Sequence, residues 1–301
     1  VYYSTPSLQC IMQMETISRN LWYRFLGTSA KKPRRSGSAQ AMSGGGMPHW
    51  IRVRHDGRER FGLLEGESIR LHTGSLLGEH SPTGDAVSLS QAKVLTPVTP
   101  GKMVALWNNF HALAAKLGNP IPAEPLYFLK ANNSFLAHGE TIRAPASYSG
   151  KVVYEGELGI VIGKRCTAIA EVDAPGHIFG YTCINDVTAL ELINKDASFA
   201  QWTRAKSFDS FGVFGPVIAT GVDPAALTIR TILNDQERQN YPVRDMIFPP
   251  AALVSLISRD MTLEPGDVIA CGTSVGVGSM KPGSTVSIAI DGIGTLTNRF
   301  E

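Results

Sequence analysis

The sequence predicts an α+β fold that is mainly β. Three observations carry this. From residue 47 onward the chain divides into many short segments rich in Val, Ile, Tyr, Phe and Thr, the lengths and residue types of strands. Turns such as "LEPGD", "MKPGS" and "IDGIG" punctuate them, with Gly and Pro supplying the backbone angles. Helical patterns are few and do not alternate with strands as a doubly wound parallel sheet requires.

Taken in order, residues 1–46 stand apart. They carry Arg19, Arg24, Lys31, Lys32, Arg34 and Arg35 against one acid, Glu15, and close on "KKPRRSGSAQAMSGGGMP". An organelle transit peptide has this composition, and so does a leader without function. The second reading is preferred, with the segment disordered or loosely packed and Met47 compatible with a native start. Residues 47–97 read as a small β domain. "HWIRVRHDGRERFGLLEGESIRLH" alternates apolar and polar residues around a hairpin turn at "HDGRE". The prolines from Pro97 to Pro100 mark a boundary.

Residues 98–301 form the larger unit. "MVALW" is a short buried strand; Asn108 or Asn109 is expected to cap the helix after it, which Gly118 ends. Strands follow at "PLYFLK", "VVYEGELGIVIG", "IFGYTCIN", "GPVIAT", "LTIRTILND", "GDVIACG" and "STVSIAI". Two further helices are predicted, over 186–195 ("DVTALELINK") and 250–259 ("PAALVSLISR").

Composition excludes several classes. Hydrophobic residues make up 43% of the 301 and charged residues 18%, ordinary values for a chain that buries a sizeable core. A net charge of +2 argues against nucleic acid or an anionic membrane as partner. No apolar run approaches the ~20 residues of a membrane helix. Cys10, Cys166, Cys183 and Cys271 lack metal-site spacing and sit among apolar neighbours, as reduced buried thiols do. A cytoplasmic protein is expected, the basic leader leaving organelle import open.

The chemistry concentrates in "YEGELGIVIG". Glu155 and Glu157 are two residues apart on a strand, so they share a face. Side by side, two carboxylates repel, and burial makes each costlier to ionise. Either the face is exposed or a cation sits there; the apolar residues after them suit a strand covered on both sides. Asp186 follows the apolar strand "GYTCIN", where it caps a helix or reaches a site on the adjacent strand. Three carboxylates with no Cys or His cluster make an all-oxygen set suited to Mg²⁺ or Mn²⁺. His111 lies in the first turn of a helix, which favours a neutral imidazole able to act as a base. Lys206, among Trp202, Phe208 and Phe211, either snorkels or holds a substrate carboxylate or developing enolate. "GTSVGVGSMKPG" lacks the GK[ST] of a phosphate loop and reads as a tight turn region. Thr273 within it is placed to donate to a substrate oxygen.

Together these motifs resemble the fumarylacetoacetate hydrolase family, from about Lys102 to Glu301. The resemblance rests on the ordered set "NNFHA", "PLYFLK", "YEGELGIVIGK", "GYTCINDVTA", "QWTRAKSFD", "MTLEPGDVIACGT" and "GVGSMKPG…DGIGTLTN". It implies a mixed β-sandwich roll, a homodimer, and Mg²⁺ or Mn²⁺ held by Glu155, Glu157 and Asp186. It also implies His111 as base, Lys206 as catalytic lysine, and Thr273, Lys130, Leu190 and Ile193 at substrate-contacting positions. Members act on small 2-oxo or β-dicarbonyl acids as C–C hydrolases, decarboxylases and isomerases. The chain departs from the family pattern at Leu190 (commonly Arg), Ile193 (commonly Gln) and Ala114 (commonly a Glu that orients the histidine). The leading expectation is hydrolysis of a C–C bond in an acylpyruvate- or fumarylacetoacetate-type acid through a metal-bound enolate. The alternatives are an isomerase or decarboxylase acting on a 2-hydroxy-dienedioate or oxaloacetate, and an inactive binding protein that keeps the fold.

Overall fold

The computed structural model describes residues 47–301. The leader assigned to residues 1–46 and Cys10 lie outside the described residues. The described residues open with a meander of β1 (His49–His55), β2 (Arg58–Glu65), β3 (Ser68–Gly74) and β4 (His80–Ser88), and β5 (Lys93–Val94) returns to β1. The first hairpin turns at Asp56 and Gly57, whose φ of 48° and 71° is the left-handed geometry that an Asp-Gly pair tolerates. β6 (Met103–Trp107) leads into α1 (His111–Leu117), which Gly118 closes at φ 68°.

Neither Asn108 nor Asn109 caps α1. Phe110 occupies the N-cap position and gives no side-chain cap. Asn108 donates to the Pro120 carbonyl, and Asn109 to the carbonyls of Cys271 and Phe248. Tertiary partners have claimed both amides.

Next come β7 (Leu126–Lys130), β8 (Phe135–Leu136), β9 (Thr141–Ile142), β10 (Val152–Tyr154), β11 (Gly156–Ile162), β12 (Ile178–Asp186) and β13 (Thr188–Ala189). The helix expected over 186–195 does not form. Asp186 ends β12, Thr188 and Ala189 pair with β10, and a single 3₁₀ turn spans Leu190–Leu192. β-Branched Val187 and Thr188 favour extended backbone, and two lysines hold the Asp186 carboxylate instead of a helix end. A helix that the sequence pattern does not reveal, α2 (Trp202–Lys206), has only five residues, too few to display a helical period. The remaining elements are β14 (Gly212–Ala219), β15 (Thr228–Leu233), β16 (Gln236–Pro242), α3 (Pro250–Asp260), β17 (Val268–Ala270), β18 (Gly278–Ser279), β19 (Thr285–Ile290) and β20 (Gly294–Phe300). α3 matches its expected span to one residue and starts with Pro at its first position.

Among the described residues the strands form three sheets. The largest runs β4-β3-β2-β1-β14-β12-β11-β17-β6-β7, with β5 and β8 attached at its side. A five-stranded sheet runs β16-β15-β19-β20-β9, and a small one β13-β10-β18. β11 is buried at every position, as a strand covered on both faces must be. Leu158, Ile160 and Cys183 belong to the apolar cluster shared with Ile229, Ile288 and Leu296 of the second sheet. Val161 and Ile184 face the other cluster, with Phe128, Phe214 and Ile218. Cys166, Cys183 and Cys271 are buried free thiols. Residues 47–97 share the large sheet, because β1 pairs with β14 at Ile51 and Val217. No helix among the described residues is long and apolar enough to cross a membrane.

Close approach of β12 to β14 requires Gly180: a Cβ there would lie 2.4 Å from the Ala219 carbonyl oxygen. Gly180→Val is therefore expected to destabilise the protein by about 3 kcal/mol, as overpacking against rigid backbone does. Chemical denaturation of the two proteins measures it; equal midpoints would show that the strands can separate without cost.

Candidate metal centre

The single strand expected over "VVYEGELGIVIG" breaks at Glu155 into β10 and β11, which belong to different sheets, and Glu157 is the second residue of β11. Antiparallel pairing sets Gly156 opposite Asn185 of β12 and Glu157 opposite Ile184. The Asp186 N–H donates to the Glu155 carbonyl at 2.9 Å, and the Glu155 N–H donates to the Asn185 side chain at 3.0 Å. The register thus delivers the end of β12 to the two glutamates. One carboxylate oxygen from each of Glu155, Glu157 and Asp186 lies within 4.8 Å of the others. Glu157 and Asp186 are fully buried, and Glu155 is 8% exposed.

Two buried lysines enter from other elements. Lys206, the last residue of α2, donates to Glu155 at 2.7 Å and to Asp186 at 2.6 Å. Lys130, the last residue of β7, donates to the other oxygen of Asp186 and to the Lys206 carbonyl. Lys206 Nζ also lies 5.2 Å from the centre of the Phe128 ring, which Trp202 stacks upon. Of the aromatic residues near Lys206 in sequence, Trp202 packs on the Phe128 ring beside the ammonium; the lysine is buried in an ion pair and does not snorkel to water.

Charge is unbalanced, three carboxylates against two ammonium groups. Burial pushes the Glu155 carboxyl above its ordinary range, with Lys206 opposing. Burial pushes Glu157 well up, reinforced by the negative charge of Asp186. Asp186 is buried too, but Lys130 and Lys206 hold it below the usual carboxylate range. Burial disfavours the Lys206 ammonium, yet Asp186, Glu155 and Glu157 outweigh this and hold its pKa above the ordinary value. Burial lowers Lys130, with Asp186 opposing and Lys206 adding.

Glu157 makes the sharpest test of fit for a cation. Gly272 N–H donates to its Oε2 at 2.8 Å. Its Oε1 is buried and has no hydrogen-bond partner. A buried carboxylate oxygen without a donor is costly, and a divalent cation removes that cost. The donors are all oxygen, which suits Mg²⁺ or Mn²⁺. The residues present fit such an ion.

The other predicted positions are distributed around this cluster. The Thr273 hydroxyl donates to the Gly156 carbonyl at 3.0 Å and accepts from Gln239 at 2.9 Å. His111 opens α1 with an exposed ring and is hydrogen-bonded to none of the three acids. Its helix is nonetheless rooted at the site, since Asn109 donates at 2.8 Å to the carbonyl of Cys271, the residue before Gly272. Leu190 is 42% exposed on its 3₁₀ turn, and Ile193 is 7% exposed in the main core. Sequence reasoning missed Asn109, Gln239 and Tyr241 as site-building residues. Neither of the last two carries a signal in "QERQNY", which has no apolar alternation; only the fold shows Gln239 and Tyr241 on the buried face of β16.

Removing one lysine leaves an uncompensated buried charge. Lys130→Met is expected to lower stability by about 3–5 kcal/mol, the cost of breaking a buried ion pair. Adding Asp186→Asn should recover part of the loss. Unfolding in chelator measures both, and a Lys130→Met protein as stable as the wild type would contradict this charge arrangement.

Comparison with known proteins agrees with this architecture. The family model for the fumarylacetoacetate hydrolase C-terminal region matches residues 102–301, and an N-terminal model described as Rv2993c-like matches 49–97. Oxaloacetate tautomerase YisK of Bacillus subtilis is 36% identical over 257 residues, covering 79% of this chain and 84% of that protein. The structure of 2-hydroxyhepta-2,4-diene-1,7-dioate isomerase from Mycobacterium marinum superposes with a TM-score of 0.77 at 38% identity, over 84% of this chain and 98% of that one. Fumarylpyruvate hydrolase from Pseudomonas aeruginosa, solved with Mn²⁺ and pyruvate, gives 0.63 at 28% identity, over 67% and 90%. A match that spans two thirds of the sequence and takes in every acid of the centre places this chain in the fumarylacetoacetate hydrolase family.

Proposed function

We propose that the chain is a Mg²⁺- or Mn²⁺-dependent enzyme that forms and redirects the enolate of a small 2-oxo acid. The buried triad of Glu155, Glu157 and Asp186, with Glu157 Oε1 left without a donor, carries this reading. When bound, the ion supplies Lewis-acid polarisation of the 2-oxo carbonyl. Lys206, held cationic by three acids, offsets negative charge as the enolate develops. His111, on the helix rooted beside Gly272, moves the proton at the carbon next to the carbonyl. Thr273, Lys130, Leu190 and Ile193 border the substrate in this proposal. The homodimer implied by the family resemblance is part of it.

Proton transfer, as tautomerisation or double-bond migration, is favoured over C–C hydrolysis. Hydrolysis needs a water activated by a well-oriented base. Ala114 is buried where family members commonly carry the glutamate that orients the histidine, so nothing at that position fixes His111 for water. The relatives named as a tautomerase and an isomerase support this order. Hydrolysis of an acylpyruvate-type acid remains the second reading, favoured by the likeness to a fumarylpyruvate hydrolase solved with pyruvate.

Titration with Mn²⁺ should raise thermal stability, by about 2.7 kcal/mol at a hundred times Kd. Glu157→Gln should weaken that binding by at least about 100-fold. Oxaloacetate, dienedioates and acylpyruvates incubated with the loaded enzyme, followed by NMR in D₂O and mass spectrometry, separate the readings. Deuterium uptake or double-bond migration without fragments is expected. Two acid fragments would favour hydrolysis, CO₂ release decarboxylation, and no turnover of any of them would leave a binding protein.

A further inference from the structure

We propose that Gln239 is the positioning residue that sets the two-glutamate half of the metal centre, acting through Gly156; this rests on the metal-dependent reading above. Gly156 is the single residue between Glu155 and Glu157, so its backbone angles decide whether both carboxylates converge. Both of its polar backbone groups are held by side chains. Its N–H donates to Gln239 Oε1 at 3.0 Å. Its carbonyl accepts from Thr273 at 3.0 Å and from the Tyr241 hydroxyl.

Gln239 is 1% exposed, and all of its hydrogen-bonding capacity is directed. Oε1 also accepts from the Thr231 hydroxyl at 2.7 Å. Nε2 donates to Thr273 Oγ1 at 2.9 Å and to the Ser274 carbonyl at 3.2 Å. The Gly156 N–H and the Ser274 carbonyl fix which end of the amide is which, because neither can change role. One consequence reaches Thr273. Its oxygen already accepts from Gln239, so its single proton points to the Gly156 carbonyl at 3.0 Å, to the Tyr241 oxygen at 3.4 Å or to a ligand. The same amide therefore orients the one hydroxyl that the sequence assigns to substrate.

The fit has a steric side. A Cβ at position 156 would lie 2.2 Å from Thr231 Oγ1 and 3.3 Å from Gln239 Oε1. Thr231 and Gln239 belong to β15 and β16, the outer hairpin of the five-stranded sheet. That sheet contributes no metal-binding acid, yet its edge hairpin grips the peptide that joins two of them.

Mn²⁺ titration of the full chain, followed by electron paramagnetic resonance, tests the assignment. Gln239→Met removes the hydrogen bonds at similar volume. Gln239→Glu keeps the shape but sets an acceptor oxygen against the Ser274 carbonyl. Both should weaken Mn²⁺ by about 10–100-fold, the usual cost of losing a group that orients a ligand, and broaden the bound-ion spectrum. Far-UV circular dichroism should stay that of the wild type. Folded variants that bind Mn²⁺ within twofold of the wild type would overturn the assignment. If neither variant folds, Thr231→Val is decisive: severalfold weaker Mn²⁺ supports the role and unchanged affinity overturns it. A wild-type chain that binds no Mn²⁺ overturns the metal reading itself, an outcome distinct from equal binding by wild type and variants.

Discussion

The burial of three carboxylates beside two ammonium groups is the constraint around which the molecule is arranged. In low-dielectric surroundings no charge of this kind persists unless its partners are fixed. The fixing is shared among elements far apart in sequence. β11, the residue just before it and β12 carry the acids, while β7 and α2 each end in a lysine aimed at Asp186. The short helix α2 makes sense in this light. It has few residues to stabilise it as a helix, and what anchors its last side chain is the ion pair together with the Trp202–Phe128 stack.

The cluster also shows a division of labour among its acids. Asp186 binds both lysines and stays below the usual carboxylate range, so it anchors the cation framework. Glu157 touches neither lysine by hydrogen bond and is pushed furthest up. It is the member whose ionisation gains most from a bound cation. A cation bound here would supply the positive charge that two lysines leave short among three acids.

Much of this was legible in the sequence, for identifiable reasons. Two glutamates at i and i+2 beside an apolar run leave two solutions, an exposed face or a cation, so the sequence pointed to Glu155 and Glu157 without choosing; the break between β10 and β11 at Glu155 was not visible in it. The Asp-Gly hairpin and Gly118 depend on local backbone angles, which neighbouring residues specify. Failures arose where distant partners decide. Asp186 looks like a helix cap until Lys130 and Lys206 arrive from other elements. Asn108 and Asn109 have the right chemistry for capping, but carbonyls of Pro120 and Cys271 compete for their amides. Gln239 belongs to no motif, and its role exists only because β16 folds back beside Gly156. Ala114, Leu190 and Ile193 were visible as departures. Their effect on substrate choice depends on the ligand, which the sequence does not name.

The pairing of β1 with β14 has a consequence beyond sheet topology. β14 is also the neighbour of β12, the strand that ends in Asp186. Without the N-terminal meander, Val217 to Ala219 would present unpaired backbone groups along an apolar strand, the kind of edge that recruits other chains. The meander therefore keeps paired the backbone of the strand next to the acid cluster. Any exchange of that meander for another module would have to keep this edge of β14 paired.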